Sequence, residues 1–477
     1  MKSNLIYSVL GRLFQVLFPL IVYPYVTRIL GVDNLGEYNF YTSTVGYLAL
    51  ISGFGISLYG TKEIGKYKDN KRAYSKIFGE LVGVNLIMSA ISYVLIVLLI
   101  IFTYSYQNYK LFLITSITII ETTIGAEYLF VALEKQRFLL IRNIVFKILS
   151  LILIFLFVKD EGDVINYALI MMLSTAGVSL TNVYNYRKKI VWSELKLNKL
   201  HFAVHMLPLF QVFIMDILIH YYGMMDIVIL GNMDTSESVG YYSVASKIYS
   251  LSYAVLASTA VPLLPRAAYY IEHQLTKEYN AMIQQCYDIY LFIIAFFSFA
   301  LFFYAEDIIV LIAGNSFRIG YLALRYFALT LLLSSFCNFF IFEIFYPKNR
   351  NKFVMYALGS SILINLLLSI ILIPLMSFVG AGVAFLVAYI FLFLFFTIGG
   401  RKELPKFNGI ADLVKDIVGI LTCVVLCIFM RNNSMHLLLQ LVVCGIFFVL
   451  VEYLMKNRTE IYLLDTVITK IKEMRKN

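Results

Sequence analysis

Charged residues are scarce in this sequence. They make up 14% of the 477 residues, whereas soluble proteins contain about 25%. Hydrophobic residues reach 61%, and the mean hydropathy is +0.82. This composition excludes an ordinary soluble protein and predicts a chain that lies largely inside a lipid bilayer.

Cysteine and histidine are equally rare, with five of each. The sequence contains no C-x-x-C pair and no cluster of Cys with His, so neither a zinc site nor a disulfide framework is predicted. We therefore expect no metal and no cofactor. A membrane enzyme would need a large outer loop or an intramembrane nucleophile with its base. The predicted outer loops are short, so we expect the chain not to be an enzyme.

The apolar residues fall in fourteen blocks of about twenty residues, the length that crosses a bilayer as a helix. The predicted helices cover 6–28, 39–60, 79–102, 111–133, 140–158, 164–186, 206–230, 240–263, 288–305, 322–345, 353–375, 379–399, 412–430 and 436–455. The segment 266–287 mixes charged and apolar residues and predicts an amphipathic helix along the interface. The short apolar stretch 306–316 predicts the outer end of the ninth helix with a re-entrant or interfacial turn.

Lysine and arginine alternate between the loops of this map. Alternate loops and the two termini hold 29 of the 39 basic residues, whereas the other loops hold four, namely Lys110, Lys159, Arg318 and Arg431. Basic residues concentrate in cytoplasmic loops, so both termini are predicted to be cytoplasmic. The net charge of +10 therefore reflects membrane orientation, and we expect no nucleic acid partner.

The chain repeats itself after six helices. Ile29-Leu30-Gly31 and Ile229-Leu230-Gly231 are each followed by a short acidic loop, and then by Gly36 and Gly240 respectively. Repeats separated by an even number of helices run parallel, as in some alternating-access transporters. We predict an all-α polytopic fold of about fourteen transmembrane helices, divided as follows: a six-helix lobe at 1–186, a linker at 187–205, a second six-helix lobe at 206–400, two extra helices at 411–455, and a basic tail at 456–477.

Several basic residues fall inside predicted helices, where a charge at the bilayer centre costs at least ~2.5–3.5 kcal/mol on insertion scales. Such residues face a partner, a wet cavity or, by snorkelling, the interface. Lys247, Arg12, Arg28 and Arg325 are our candidate substrate contacts, because a row of cations suits an anionic head group. The structural alternatives are snorkelling for Arg12, and interfacial anchoring or pairing with Asp33 for Arg28.

Acidic residues inside the helices are candidates for ion coupling. Asp216 and Glu121 each lie about ten residues into a predicted helix, and Glu127 follows Glu121 without sharing its face cleanly. A buried carboxylate can bind a proton or sodium. The structural alternative for each is an ion pair with an intramembrane base.

The spacing of glycine, proline and aromatic residues resembles the Wzx/RfbX-type polysaccharide flippases of the multidrug/oligosaccharidyl-lipid/polysaccharide exporter superfamily. The resemblance covers about residues 1–400. The residues that carry it are Asn4, Pro24, Arg28, Leu30-Gly31, Gly36, Tyr38, Gly53-Phe54-Gly55, Tyr59-Gly60 and Lys62-Glu63-Ile64, then Leu207-Pro208-Leu209-Phe210, Asp226, Leu230-Gly231, Val239-Gly240-Tyr241-Tyr242, Ala245, Lys247 and Leu264-Pro265-Arg266, and finally Leu322–Leu333 with Phe345-Tyr346-Pro347.

This resemblance implies two six-helix lobes around a cavity, and a function. The protein would carry undecaprenyl-pyrophosphate-linked oligosaccharide repeat units across the bacterial inner membrane by alternating access. These units serve the synthesis of O-antigen, lipopolysaccharide or capsule. The implied partners are that lipid-linked oligosaccharide, membrane lipids, a polysaccharide polymerase and a chain-length regulator. The alternative is a cation-coupled exporter of drugs or small molecules with the same fold.

Overall fold

The computed structural model describes residues 2–102, 108–195, 200–257, 264–404, 410–432 and 437–455. For a few helical residues, among them Arg12 and 219–223, it describes the backbone alone. The predicted basic tail at 456–477 lies outside the described residues, as does part of the predicted linker. No strand occurs in the described ranges.

The described α-helices are, in chain order, α1 (Lys2–Gly53), α2 (Ile56–Lys66), α3 (Lys71–Phe102), α4 (Tyr109–Gly125), α5 (Glu127–Ala132), α6 (Gln136–Phe157), α7 (Val164–Tyr186), α8 (Ala203–Met233), α9 (Ser236–Ala257), α10 (Leu264–Glu272), α11 (Thr276–Phe303), α12 (Ala305–Ala313), α13 (Tyr321–Phe339), α14 (Asn351–Leu394), α15 (Ile410–Asn432) and α16 (Leu437–Leu454). Short π-helices, Phe340–Phe345 and Phe395–Gly399, extend α13 and α14.

Two of these helices are each a pair joined at one non-helical residue. Gly31 breaks α1 with φ 72° and ψ −178°, a left-handed conformation that glycine adopts without steric cost. Ser377 breaks α14 with φ 53°, and its hydroxyl bonds to Asp234 and to Ser238. With the halves counted separately, and with α4 and α5 taken as one span, each of the fourteen predicted apolar blocks has a helix among the described residues. The short helices α2, α10 and α12 are additional to these fourteen.

Eight described helical segments are long and apolar enough to cross a membrane, and shorter apolar helices accompany them. The prediction of an all-α polytopic membrane protein is therefore confirmed. Two local predictions were wrong. The fourth span is broken at Ala126, which has φ 40°. The amphipathic segment 266–287 is not one helix, because α10 ends at Glu272 and the remainder begins α11.

The chain forms two compact units. The first comprises Met1–Val244, Leu311–Phe317 and Ser369–Ala381, and the second comprises Ala245–Val310, Arg318–Leu368 and Gly382–Asn477. The predicted lobes, 1–186 and 206–400, describe a membrane topology and stay a prediction. In the first unit, α1 packs against α3, α4, α6 and α8. A buried cluster that includes Phe78, Leu81 and Leu129 holds α2, α3 and α5 together.

In the second unit, α11 is the central packing partner. It contacts α13, α15 and α16. The last two helices bury Cys423, Cys427 and Cys444 against α11 and the start of α12, with Phe448 stacked on Phe292 of α11. The two helices beyond the predicted repeat are therefore packed onto the second unit through an apolar face.

Candidate functional site

Lys247 lies near the middle of α9, in the part of that helix that belongs to the second unit. Its side chain is half-buried, and its ammonium has neither a hydrogen-bond partner nor a carboxylate partner among the described residues. Its backbone carbonyl accepts from the Ser250 hydroxyl at 2.9 Å. A partly buried cation without a counter-charge attracts an anion strongly, because little water screens it.

Arg28 is engaged by the backbone of the first unit. Its guanidinium donates to the carbonyls of Leu311 at 2.6 Å and Ile312 at 3.3 Å, at the end of α12, and to Pro24 O at 2.7 Å. A cation at a helix C-terminus satisfies carbonyls that have no partner within the helix. Arg28 therefore stabilises the C-terminal end of α12, whereas the structural alternative from the sequence paired it with Asp33. Its role as a substrate contact stays a prediction.

Arg325 lies near the start of α13 in the second unit. Its guanidinium carbon is 4.8 Å from the ring centroid of Tyr321 and 5.7 Å from that of Phe302. Its buried Nε has no hydrogen-bond partner in the structure. These rings stabilise the charge without neutralising it. Arg12 lies on α1, and its side chain is outside the described part of the chain.

Two of the three candidate coupling acids belong to the middle of the membrane helices. Glu121 on α4 is buried; one carboxylate oxygen accepts from the Thr175 hydroxyl, and the other has no partner. Asp216 lies on α8 with a half-buried side chain and interacts with a neighbouring group. Their roles in ion coupling stay predictions.

Glu127, the third candidate, is the exposed member of a polar network in the first unit whose other members, Arg142 and Asn182, are buried. Its carboxylate binds the guanidinium of Arg142, which also donates to the side-chain oxygen of Asn182. Asn182 in turn donates to Gly125 O at 2.8 Å. Arg142 lies in α6, inside the predicted block 140–158, with its side chain 2% exposed. Its ion pair with Glu127 is the structural alternative that was named for that acid.

Two polar groups were not among the predicted site residues. Asp226 on α8 is buried, and its two oxygens accept from Tyr242 at 2.9 Å and from Ser369 at 3.0 Å. The sequence analysis named Asp226 only as one of the residues that resemble the flippase family. Its hydroxyl partners lie far away along the chain, so spacing alone could not find the cluster.

The second unpredicted group is a chain of three side chains at the start of α8. The Tyr59 hydroxyl lies 2.9 Å from Nδ1 of His205, and Nε2 of that ring lies 2.8 Å from a carboxylate oxygen of Glu80. The other Glu80 oxygen accepts from the backbone N–H of His201 at 2.9 Å. This network fastens the beginning of α8 to α2 and α3.

The repeated glycines meet in the first unit. A Cβ atom on Gly36 would lie 1.8 Å from the carbonyl oxygen of Ser236, and one on Gly240 would lie 2.3 Å from that of Val32. Only glycine permits such a close approach of two helix backbones. The two positions matched by the sequence repeat are therefore in direct contact.

Within the described ranges, no group of three or more His, Cys, Asp or Glu side chains could hold a metal ion. The arrangement instead offers Lys247 and Arg325 as cations without carboxylate partners. It can bind an anionic group within a helical membrane protein.

Comparisons with known proteins agree with this picture. The family described as polysaccharide biosynthesis protein matches residues 1–270, and the family of the lipid II flippase MurJ matches residues 179–448. A protein of Escherichia coli (strain K12) named as an O-antigen transporter is 23% identical over 272 residues, which cover 56% of this chain and 64% of that protein. One from Shigella dysenteriae with the same name is 30% identical over 165 residues, or 35% of this chain and 41% of that protein. Each match spans less than two thirds of the relative's length.

Solved structures share the fold. The lipid II flippase MurJ in an inward closed conformation superposes with a TM-score of 0.72 at 17% identity, covering 98% of this chain and 100% of that one. A multidrug resistance MATE family transporter in an inward-facing conformation gives 0.62 at 14% identity, covering 83% and 97%. At these identities the likeness shows the fold alone. Because the first family matches more than half of the sequence, this chain belongs to the polysaccharide biosynthesis protein family, the Wzx/RfbX-type flippase branch of the multidrug/oligosaccharidyl-lipid/polysaccharide exporter superfamily.

Proposed function

We propose that the protein moves undecaprenyl-pyrophosphate-linked oligosaccharide repeat units across the inner membrane for surface polysaccharide synthesis. The observation that supports this most directly is Lys247 on α9, within the predicted block 240–263. It is a half-buried cation with no carboxylate partner among the described residues. A pyrophosphate head group supplies the missing negative charge. The family membership supports the same class of substrate.

The physical difficulty of this transport lies in the head group. Sugar hydroxyls and pyrophosphate oxygens would lose their hydrogen bonds to water in hydrocarbon, which costs several kcal/mol for each unsatisfied group. A cation inside the protein replaces part of that hydration. The polyprenyl tail is apolar and can remain in lipid. Alternating access then exposes the fixed cation to each side of the membrane in turn.

We assign Lys247 as the central phosphate contact and Arg325 as a second one. Among the described residues, the Arg325 guanidinium contacts aromatic rings and no carboxylate, so its charge is available to a phosphate. Arg28 and Arg12 are further proposed contacts, although the donors of Arg28 already serve carbonyls at the end of α12. The proposed topology has both termini in the cytoplasm, because the loops on the same side as the termini are rich in Lys and Arg. A polymerase and a chain-length regulator would act on the transported units.

A genetic experiment tests this function. Deleting the gene should cause lipid-linked repeat units to accumulate inside the cell and surface polysaccharide to be lost. Lys247→Arg should restore the polysaccharide, whereas Lys247→Ala should not. Lys352→Ala, which removes an exposed lysine in the same unit, is the control and should complement fully.

Normal surface polysaccharide in the deletion strain would refute the proposal. The alternative function, a cation-coupled exporter, predicts a different result. Overexpression would then raise resistance to cationic dyes, and Lys247→Ala would leave or improve that resistance, because removing a positive charge favours cationic substrates.

A further inference from the structure

The carboxyl group of Glu343 has no hydrogen-bond partner among the described residues. The residue is 0% exposed, and neither of its side-chain oxygens has a hydrogen-bond partner. It lies in the π-helix Phe340–Phe345 that ends α13. π-Helical turns are rare and often occur at functional sites.

The charged and titratable groups described around this carboxyl form no hydrogen bond with it. Tyr279 and Cys286 of α11 are its titratable neighbours. The Tyr279 hydroxyl donates to the backbone carbonyl of Glu343 at 3.1 Å and not to the carboxyl. Arg266 of α10 bonds to Tyr270, and Lys348 donates to a backbone carbonyl of Glu403. Neither cation forms an ion pair with Glu343.

The corresponding position of the first repeat shows what is missing. Six helices earlier, Glu127 precedes the helix that begins at Gln136 by almost the same number of residues as Glu343 precedes Asn351. Both acids are followed by a basic residue and phenylalanine, Arg137-Phe138 and Lys352-Phe353, at the start of the next helix.

With these Phe residues aligned, Arg142 corresponds to Ala357, which is fully buried. Glu127 has a guanidinium partner, whereas the aligned position of the second repeat, Ala357, has no charge to offer. This alignment places Glu127 opposite Phe342, one residue before Glu343. The two acids therefore lie at neighbouring positions of the repeat, and of the two only Glu127 has an ion-pair partner among the described residues.

An ionised carboxylate buried without a partner is strongly disfavoured, so this packing accommodates the neutral acid. We propose that Glu343 is a proton-binding site that couples proton movement to the conformational change of the transporter. On opening, the hydrated acid releases its proton to water as a carboxylate and a hydronium ion. The carboxylate must take up a proton before the site can close again. The coupling to transport rests on the proposed function, whereas proton binding by Glu343 does not.

The first test observes the proton without transport. Infrared difference spectra of the full-length protein in lipid nanodiscs, recorded between acidic and alkaline buffer, should contain a carboxylic-acid carbonyl band from Glu343. Glu343→Gln should remove that band, whereas Glu127→Gln, the matched control, should leave it. A spectrum unchanged by Glu343→Gln would overturn the proposal.

The second test measures coupling in proteoliposomes that contain an undecaprenyl-pyrophosphate-linked oligosaccharide. A pH gradient should accelerate translocation by the wild-type protein. Glu343→Gln should lose this acceleration and keep a basal rate, whereas Glu343→Asp, which can still take up a proton, should retain part of the acceleration. Acceleration that persists in Glu343→Gln, or that a sodium gradient reproduces without a pH gradient, would overturn the proposal. If the wild type translocates nothing, the proposed function fails, and the infrared result alone decides the role of Glu343.

Discussion

Removing the carboxylate of Glu127 should destabilise the first unit through Arg142. The side chain of Arg142 is 2% exposed, whereas the side chain of Glu127 is 55% exposed. Arg142 also bonds to Asn182, which holds the last carbonyl of α4. Glu127→Ala would therefore leave a buried cation with one neutral partner in place of a carboxylate.

The expected cost follows from this burial. Breaking a buried ion pair by removing one partner costs about 3–5 kcal/mol, and we expect about 3 kcal/mol because water already screens the exposed Glu127. At ~2–4 °C per kcal/mol for a unit of this size, the melting temperature should fall by roughly 6–12 °C. The double variant Glu127→Ala with Arg142→Met should recover part of this loss, since it leaves no uncompensated charge.

The assay is thermal unfolding of the purified protein in detergent at one fixed heating rate, because membrane proteins often unfold irreversibly. The single variants and the double variant form a double-mutant cycle that isolates the coupling between the two residues. An additive cycle, or a melting temperature unchanged in Glu127→Ala, would refute the conclusion that this pair is structural.

Three further perturbations test other parts of the structure. Gly36→Ala should lower the melting temperature, because its Cβ would lie 1.8 Å from the Ser236 carbonyl oxygen. Overpacking of this kind destabilises a protein by about 1–3 kcal/mol. An unchanged melting temperature would contradict this contact. Arg28→Gln should lower the free energy of unfolding by about 1.5–3 kcal/mol, because the hydrogen bonds of a charged donor are lost. It should also speed hydrogen exchange at the end of α12. Unchanged exchange there would contradict the structural role of Arg28. Backbone N–H donors hold the pKa of Asp163 below its usual range, so Asp163→Asn should speed exchange in its turn at neutral pH. The difference from wild type should vanish as the pH falls through the folded-state pKa, and a difference that is independent of pH would contradict that cause.

The membrane architecture could be predicted from the sequence because its signals are local. A block of about twenty apolar residues identifies a span wherever it lies, and the alternating loop charges check the count. The boundaries of α1 and α14 were less predictable. A single residue, Gly31 or Ser377, changes direction between two spans, and Ser377 does so with the support of Asp234.

The site was harder to predict because pairing depends on the third dimension. Arg142 and Glu343 illustrate this in opposite ways. Arg142 follows the basic residues Lys135 and Arg137 in the sequence. Only tertiary packing shows that it is buried against Glu127. Glu343 is an ordinary acid near the end of a predicted helix, and only the structure shows that both its oxygens lack partners. Spacing therefore identifies which residues are charged inside the bilayer, but not which of those charges remain unneutralised.

The most direct test of the central claim is translocation by the purified protein in proteoliposomes that carry an undecaprenyl-pyrophosphate-linked oligosaccharide. An impermeant enzyme outside the vesicles that cleaves the sugar would report how much substrate reaches the outer leaflet. The wild type and Lys247→Arg should make nearly all of the substrate accessible, whereas Lys247→Ala should leave the inner-leaflet share protected. Equal accessibility with Lys247→Ala, or with vesicles that contain no protein, would contradict the proposal.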